Sequence, residues 1–345
     1  MSETTSHDKK PLRLAVCGRC KHKAWLPSDS APLETTDCAK CGHPIIVPTR
    51  IRQFELREVI ASGGMGTVYR AFDTTLERQV AVKMLKRGMA EDKEVLESFY
   101  REARATAALN HTNIIHIYSF DEFAGQPYLV MELADHGSLD SRIESEQALP
   151  ELDVLDIGMA ICQALDAALK QNLLHRDIKP GNILFNEYRE PKLVDFGLAR
   201  RAEDNEEYEA SVWGTPYYVA PEKIKRESED FHSDMYSLGG TLYHALTGHV
   251  PFEAETVEQV VAGHVHTPLT PPNQVRPDVS EATSDALVRA MAKQPAERFG
   301  SYGEFRMALE NARSQVLVVW HRRQQEQNEE PPAAAPPAHR SWWKR

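Results

Sequence analysis

The sequence predicts an α+β protein in which a small cysteine-rich module precedes a strand-rich lobe and a larger helical lobe. Two C-x-x-C pairs lie within the first 41 residues. From Phe54 onward, segments of alternating apolar and polar residues flank a glycine-rich turn, as antiparallel strands do. After Ala134 the apolar residues recur mainly at helical spacing.

The composition is that of a globular chain that is acidic over most of its length. The 345 residues carry a net charge of -11 and are 41% hydrophobic, which suits two or more domains with a sizeable core. The first 50 residues hold eight Lys or Arg and five Asp or Glu, so the remainder carries -14. Because nucleic-acid binding needs basic surface against phosphates, this balance disfavours broad nucleic-acid binding.

The ends of the chain predict a cytoplasmic location. The N-terminal "MSETTSHDKKPLRLAV" lacks the apolar core of a signal peptide. The apolar run "VLVVW" at 316–320 is far shorter than the roughly 20 residues that span a bilayer. A membrane anchor beyond Arg345 would change this expectation.

The cysteine spacing predicts a four-thiolate zinc site. Cys17 and Cys20 form one C-x-x-C pair, Cys38 and Cys41 form another, and 17 residues separate them, which is the spacing of tetrahedral four-cysteine sites. Two disulfides, or pairs that arose by chance, are the alternatives. Disulfides fit poorly with a chain that lacks an export signal.

The module around these cysteines, 13–48, resembles a zinc ribbon, with strand-like segments "LRLAV" and "HPIIVP" at its ends. About 35 residues bury little core, so the metal must supply the folding free energy. Residues 1–12 are expected to be disordered and 49–53 to form a linker. His22 and His43 are expected at the surface, and Cys162 in the core.

Strand and helix patterns follow in a definite order from Phe54. "FELREVI", "TVYRAFD" and "RQVAVKML" predict three strands, and "IIHIYSF" and "PYLVMEL" two more. Between them, "EDKEVLESFYREARATAALN" has a helical stripe. "ELDVLDIGMAICQALDAALKQ" and "DMYSLGGTLYHALTG" are the clearest later helices.

Five charged motifs lie on this frame in sequence. The motifs are "AVK" with Lys83, "REA" with Glu102, "HRDIKPGN" with Asp177, Lys179 and Asn182, "DFG" with Asp195, and "APE" with Glu222. In this order and context they resemble the eukaryotic-type protein kinases, most closely the Ser/Thr kinases of bacteria. The resemblance covers 54–313 and implies a bilobal kinase fold, with an N-lobe at 54–133 and a C-lobe at 134–313.

The resemblance implies a phosphoryl-transfer site that uses ATP with Mg2+ or Mn2+. Asp177 would accept the proton of a substrate Ser or Thr hydroxyl, and Lys179 would neutralise the γ-phosphate. Lys83 would hold the α- and β-phosphates and would be fixed by Glu102. Asn182 and Asp195 would bind the metal through hard oxygen ligands.

The same resemblance implies the nucleotide-binding residues. The loop over the phosphates comprises Ala61, Ser62, Gly63, Gly64, Met65 and Gly66. Val68, Ala81 and Leu184 would sandwich the adenine, with Met131 as gatekeeper and Glu132 and Ala134 as the hinge. Plain core packing is the alternative for the apolar members of this set.

Ala61 departs from the family pattern, which has glycine at that position of G-x-G-x-x-G-x-V. The substitution adds one methyl group at the end of a strand. If its φ is negative, the conformational cost is small. The loop is therefore interpreted as functional, with weakened nucleotide affinity as the expected effect.

Four further roles are implied for residues outside the nucleotide site. Glu222 is expected to pair with Arg298, and Asp234 to bind backbone near the catalytic loop. Thr215 is expected to contact the catalytic aspartate and lysine. Arg176 is expected to meet a negative group of the activation segment, which is the stretch between Gly197 and Thr215. That group is either a phosphate on Ser211 or a glutamate of "AEDNEEYEA". A solvated acidic loop is the alternative.

The sequence thus predicts a Ser/Thr protein kinase whose substrates are proteins, itself included. A nucleotide-binding pseudokinase scaffold is one alternative, supported only by Ala61. A ribbon that binds nucleic acid or protein is another, supported by Arg19, Lys21, Lys23 and Trp25. Dimerisation stays open. Residues 314–345 are expected to extend the last helix into a Pro/Ala-rich spacer that ends in "SWWKR", either disordered or a docking or membrane-interface peptide.

Overall fold

The computed structural model describes residues 12–27, 33, 35–63, 66–196, 200–201 and 216–329. A small module of paired strands comes first, followed by a six-stranded sheet with one long helix and then by a mainly helical lobe. This order is the one that the sequence predicts.

The N-terminal module consists of two antiparallel hairpins, and each carries one C-x-x-C pair beside its turn. The strands are β1 (Leu12–Val16), β2 (Lys23–Pro27), β3 (Thr35–Asp37) and β4 (Pro44–Ile46). The sequence predicted β1 and β4, which are confirmed, but not β2 or β3. Their sequences, KAWLP and TTD, lack the alternation of apolar and polar residues that marks a half-buried strand.

Strand β4 belongs to two cores at once because successive side chains of a strand point to opposite faces. Ile45 and Val47 pack with Cys17 and Cys38 inside the module. Ile46 points the other way and packs in the core of the following sheet. The module is therefore attached to the next lobe by buried apolar surface.

The N-lobe sheet has the order β5-β6-β7-β8-β10-β9. Its strands are β5 (Thr49–Ile51), β6 (Phe54–Ser62), β7 (Gly66–Asp73), β8 (Arg78–Leu85), β9 (Ile117–Phe123) and β10 (Gln126–Met131). Strand β5 lies within 49–53, which the sequence treats as a linker, and Ile51 is fully buried. Residues 114–116, predicted as strand, precede β9 and form only an isolated bridge at Ile114.

Helix α1 (Lys93–Ala107) packs against the sheet. Asp92 caps it by accepting hydrogen bonds from the backbone of Glu94 and Val95, which satisfies donors that lack an intrahelical partner. Phe99 and Ala103 bury the apolar face against Leu85 and Leu129. The face that carries Glu102 consequently points toward β8.

The C-lobe is built around α3 (Glu151–Leu169), which packs against α5 (Phe231–Thr247) and α9 (Tyr302–Glu329). The remaining elements are α2 (Leu139–Glu146), β11 (Leu173–Leu174), β12 (Ile183–Phe185), β13 (Pro191–Leu193), β14 (Arg200–Arg201), α4 (Pro221–Ile224), α6 (Val257–His266), α7 (Pro272–Val275) and α8 (Glu281–Ala290). Cys162 is fully buried on α3, as predicted. Within the described ranges, no helix is both long and apolar enough to cross a membrane.

Two buried carboxylates hold the C-lobe together, and the predictions for both are confirmed. Arg298 donates to both carboxylate oxygens of Glu222, at 2.7 and 2.8 Å, and Ser233 donates to the same carboxylate. The side chains of Arg298 and Glu222 are almost fully buried, so the charge of each is stabilised by the opposite charge of the other. Asp234 accepts the backbone N–H groups of His175 and Arg176, both at 2.7 Å.

Candidate active site and metal centre

The glycine-rich turn joins β6 to β7 as a hairpin. Gly63 N–H donates to the Gly66 carbonyl at 2.9 Å. Gly66 allows β7 to approach β8 closely, since a Cβ at this position would lie 2.8 Å from the Met84 carbonyl oxygen. Ala61 pairs with Val68 in the ladder and does not have a positive φ, so the condition for a small conformational cost is met. Gly64 and Met65 lie outside the described residues.

A lysine–glutamate ion pair bridges the sheet and helix α1. Lys83 Nζ lies 2.5 Å from Glu102 Oε1, and both side chains are mostly buried. Burial raises the pKa of Glu102, the Lys83 charge lowers it, and the Asp195 charge raises it again. The pair therefore binds α1 to β8 and lies within electrostatic reach of the "DFG" aspartate.

The loop between β11 and β12 brings three predicted catalytic residues into one cluster. Lys179 Nζ donates to Asp177 Oδ2 at 2.7 Å. The Asn182 amide nitrogen donates to Oδ2 of Asp177 at 3.0 Å and to its backbone carbonyl at 2.8 Å. These contacts fix the Asp177 carboxylate and leave the Asn182 amide oxygen as the atom that could bind a cation.

Two of the eleven non-glycine residues with a positive φ in the described part of the chain lie next to this cluster. Arg176 has a φ of 65° and Asp195 a φ of 67°, in a region that costs most side chains on the order of 1–3 kcal/mol. Asp234 holds the Arg176 backbone, as described above. Phe196 is fully buried with its ring edge-on to His175, centroids 4.6 Å apart, and His175 Nε2 bonds to the Val194 carbonyl. Asp195 itself stays exposed, while Gly197 lies outside the described residues.

Four of the predicted adenine-binding residues, Val68, Ala81, Met131 and Leu184, lie on strands that come from both lobes. Ala81 on β8 pairs with Met131 at the end of β10, and Val68 on β7 pairs with Lys83. Leu184 is on β12, which pairs with β13. The Glu132 carboxylate lies 2.7 Å from Lys192 Nζ, so the side chain of this hinge residue is held by the C-lobe strand β13.

Arg70 is the centre of a network of ion contacts that the sequence analysis did not predict. Arg70 Nε lies 2.7 Å from Glu58 Oε1, and another guanidinium nitrogen contacts the carboxylate of Asp135, the residue after Ala134. Both are ion contacts whose angles depart from hydrogen-bond alignment. No local pattern identifies these partners, because they lie on three separate segments and charged residues on strands usually face solvent.

The four cysteines of the N-terminal module converge on one point. All four sulfurs lie within 4.8 Å of one another, and the Cys17–Cys41 and Cys20–Cys38 pairs are 3.6 Å apart. A disulfide would require about 2.05 Å, whereas a tetrahedron with metal–sulfur bonds of about 2.3 Å has edges of roughly 3.8 Å. The distances fit metal ligands and not disulfides, and all four thiols are free.

The two turns that carry the cysteines, 17–22 and 38–43, are called the first and second knuckle and have matching backbone geometry. Lys21 N–H donates to the Cys17 carbonyl and Gly42 N–H to the Cys38 carbonyl. Both positions adopt a positive φ, 56° at Lys21 and 70° at Gly42, which glycine adopts at low cost. His22 and His43 occupy corresponding places after these turns, since their carbonyls accept from Cys17 and Cys38.

The thiols of Cys38 and Cys41 have pKa values that are shifted in opposite directions. The backbone N–H of Lys40 lowers the pKa of Cys38 to about 7. For Cys41 the backbone N–H of His43 acts in the same direction, but desolvation and the three neighbouring sulfurs outweigh it and raise the pKa to about 12. A divalent cation would favour the deprotonated form of all four, so the donor set fits a metal such as zinc.

The two histidines have different environments. His22 is exposed, as predicted. The prediction for His43 was wrong, since the ring is half-buried and its Nε2 lies 2.8 Å from the Val59 carbonyl oxygen on β6. The spacing of the cysteines gave no sign of this contact, because the partner is 16 residues away in the adjoining lobe.

Comparison with known proteins identifies relatives across the two lobes. A family model described as protein kinase domain matches residues 54–312. The serine/threonine-protein kinase PknB of Mycobacterium leprae is 36% identical over 268 residues, covering 76% of this chain and 43% of its own length. A probable serine/threonine-protein kinase PknB of Bifidobacterium longum is 35% identical, with coverage of 74% and 39%. The chain therefore spans about two fifths of the length of the curated relatives it matches.

Proposed function

The chain belongs to the protein kinase domain family, and on that premise we propose that it transfers the γ-phosphate of Mg-ATP to Ser and Thr hydroxyls of proteins, itself included. The observation that carries the proposal is the joint presence of the Lys83–Glu102 pair and the Asp177–Lys179–Asn182 cluster, one in each lobe. A decayed site would be expected to lose some of these polar groups. Ala61, the only support for a pseudokinase, does not have a positive φ, so the substitution carries a small conformational cost.

The geometry supports separate roles for the groups that would bind the phosphates and the groups that would bind the metal. Glu102 holds the Lys83 ammonium where the α- and β-phosphates would lie. Mg2+ supplies charge neutralisation for the phosphates when bound, and the Asn182 amide oxygen together with the exposed Asp195 carboxylate offers the hard oxygen ligands it prefers.

Asp177 and Lys179 support transfer to a hydroxyl. The Asp177 carboxylate, oriented by Asn182 and Lys179, can accept the proton of a Ser or Thr hydroxyl as it attacks. Lys179 can neutralise charge on the transferred phosphate. Lysine two residues after the aspartate is also the choice of Ser/Thr kinases in the family that the chain resembles.

Zinc is the metal that we propose for the cysteine cluster. The roles of the ribbon in binding nucleic acid, the cytoplasmic location and dimerisation stay predictions. Lys21, one of the cations that suggested nucleic-acid binding, pairs with Glu58 of the kinase lobe instead, which leaves less basic surface on the ribbon for phosphates.

The catalytic role of Asp177 predicts a specific kinetic pattern. Asp177→Asn should leave nucleotide affinity nearly unchanged and lower the phosphorylation rate by at least about two orders of magnitude, the usual contribution of a positioned base. The measurement is transfer of labelled phosphate to a generic Ser/Thr substrate, with nucleotide affinity measured in parallel.

Asp195→Ala serves as the contrasting variant, because it should also weaken Mg-ATP binding. If the wild-type protein transfers no phosphate to itself or to Ser/Thr substrates across a range of Mg2+ and Mn2+ concentrations, the scaffold interpretation replaces the kinase.

The zinc assignment predicts one Zn2+ per chain in protein purified under reducing conditions. A chelator should unfold 13–48 while the kinase lobes stay folded, because the metal supplies most of the folding free energy of so small a module. Elemental analysis and circular dichroism would measure both effects. Protein that contains no stoichiometric metal would contradict the assignment.

The activation segment is proposed to supply its own negative charge. Among the described residues, the buried Arg176 Nε has no hydrogen-bond partner, although the backbone carbonyl of Arg176 accepts from Lys223. Residues 202–215, which include Ser211, Thr215 and the acidic run, lie outside the described residues. We propose that Glu206, Glu207 or Glu209 pairs with Arg176 and gives basal activity before autophosphorylation.

This proposal is tested with phosphatase-treated enzyme. Replacing all three glutamates with glutamine should remove most of the activity, because the neutral amides carry no negative charge to form an ion pair with the guanidinium. Ser211→Ala should retain most of it. The reverse pattern would make Ser211 the main switch. Full activity in both variants would instead support a solvated acidic loop.

A further inference from the structure

Both cysteine knuckles contact the same short stretch of β6, the strand that leads into the glycine-rich loop. From the first knuckle, Lys21 Nζ lies 3.3 Å from Glu58 Oε2. Gly18 packs so closely that a Cβ there would lie 2.7 Å from the Val59 carbonyl oxygen. From the second knuckle, His43 Nε2–H donates to that same carbonyl at 2.8 Å.

The contacted stretch is irregular. The register of β6 against β7 shifts between Leu56 and Glu58 and again between Val59 and Ala61. Such bulges disrupt the ladder locally and re-aim the strand. Two residues beyond Val59 the chain reaches Ala61 and Ser62, where the predicted phosphate loop begins, so the ribbon holds β6 where its pairing with β7 is least regular.

A chain of charges continues from the ribbon to the hinge. Glu58 is shared between Lys21 and Arg70, and Arg70 also contacts Asp135 beside the hinge residue Ala134. Arg70 pairs in the ladder with Ala81, a predicted adenine contact. The side chains of Glu58 and Asp135 are only 14% and 7% exposed, and partial burial limits screening by solvent.

We propose that the metal-loaded ribbon positions the nucleotide site, with His43 and Lys21 as the positioning residues. The two knuckles hold the bulged part of β6, and Glu58 and Arg70 transmit that constraint to the hinge. Gly18 and Lys21 directly follow cysteines of the first pair, and His43 lies two residues after Cys41. Loss of the metal therefore releases β6 and weakens nucleotide binding. This inference rests on the proposed function, since it assigns a control to the same site.

The test uses the full chain, a fluorescent ATP analogue and hydrogen exchange, with zinc content measured for every variant. His43→Leu removes the donor, whereas His43→Gln retains an N–H donor. His22→Leu is the matched control, because His22 occupies the corresponding place in the first knuckle but is exposed. A parallel sample of wild-type protein is stripped of zinc by a chelator.

The proposal predicts that His43→Leu retains zinc and raises the dissociation constant of the analogue roughly threefold to tenfold, the effect of one lost hydrogen bond. Exchange should become faster in 54–62 and stay unchanged in α5. His43→Gln should restore most of the affinity, His22→Leu should match the wild type, and zinc removal should weaken binding at least as much as His43→Leu.

Wild-type affinity and exchange in zinc-loaded His43→Leu would overturn the proposal, as would unchanged exchange in 54–62 after zinc removal. If the wild-type chain binds no nucleotide, the proposed kinase function fails. In that case, hydrogen exchange in 54–62, compared between the wild type, His43→Leu and the zinc-free protein, still shows whether the ribbon holds β6.

Discussion

The ion pair between Lys83 and Glu102 is the interaction on which the arrangement of the site depends. Lys83 belongs to the central part of the N-lobe sheet and Glu102 to α1, the long helix that packs on it. Because both side chains are mostly buried, either charge without the other would be costly. The pair can therefore form only when α1 lies against the sheet, and the burial of Phe99 and Ala103 against Leu85 and Leu129 places it there.

The C-lobe holds the loop that carries Asp177 in a strained backbone conformation. Arg176 and Asp195 both have positive φ, yet they flank the groups that must be placed accurately. The buried carboxylate of Asp234 fixes the backbone on one side, and the packing of Phe196 against His175 fixes it on the other. Buried hydrogen bonds and ring packing thus offset the strain near Asp177.

Residues that belong to a local pattern or to a motif of the kinase resemblance could be predicted from the sequence, even where their partners are distant in the chain, and pairs outside such motifs could not. The cysteine spacing, the strand alternation around the glycine-rich turn and the Glu222–Arg298 and Asp234 contacts were all anticipated. Strands β2 and β3 were not, because neither of their sequences alternates apolar with polar residues. The His43–Val59 and Glu58–Arg70–Asp135 contacts were missed because each joins segments whose own sequences are compatible with a solvent-exposed role.

The central claim, that the Lys83–Glu102 pair organises a working phosphoryl-transfer site, is tested most directly by single-turnover phosphate transfer with Glu102→Gln at saturating Mg-ATP. Glutamine keeps the size of the side chain but removes the charge that fixes the ammonium, so transfer should slow by at least about tenfold while nucleotide still binds. Glu94→Gln, which removes an exposed charge from the first turn of the same helix, should transfer at the wild-type rate. A wild-type rate in Glu102→Gln would contradict the account.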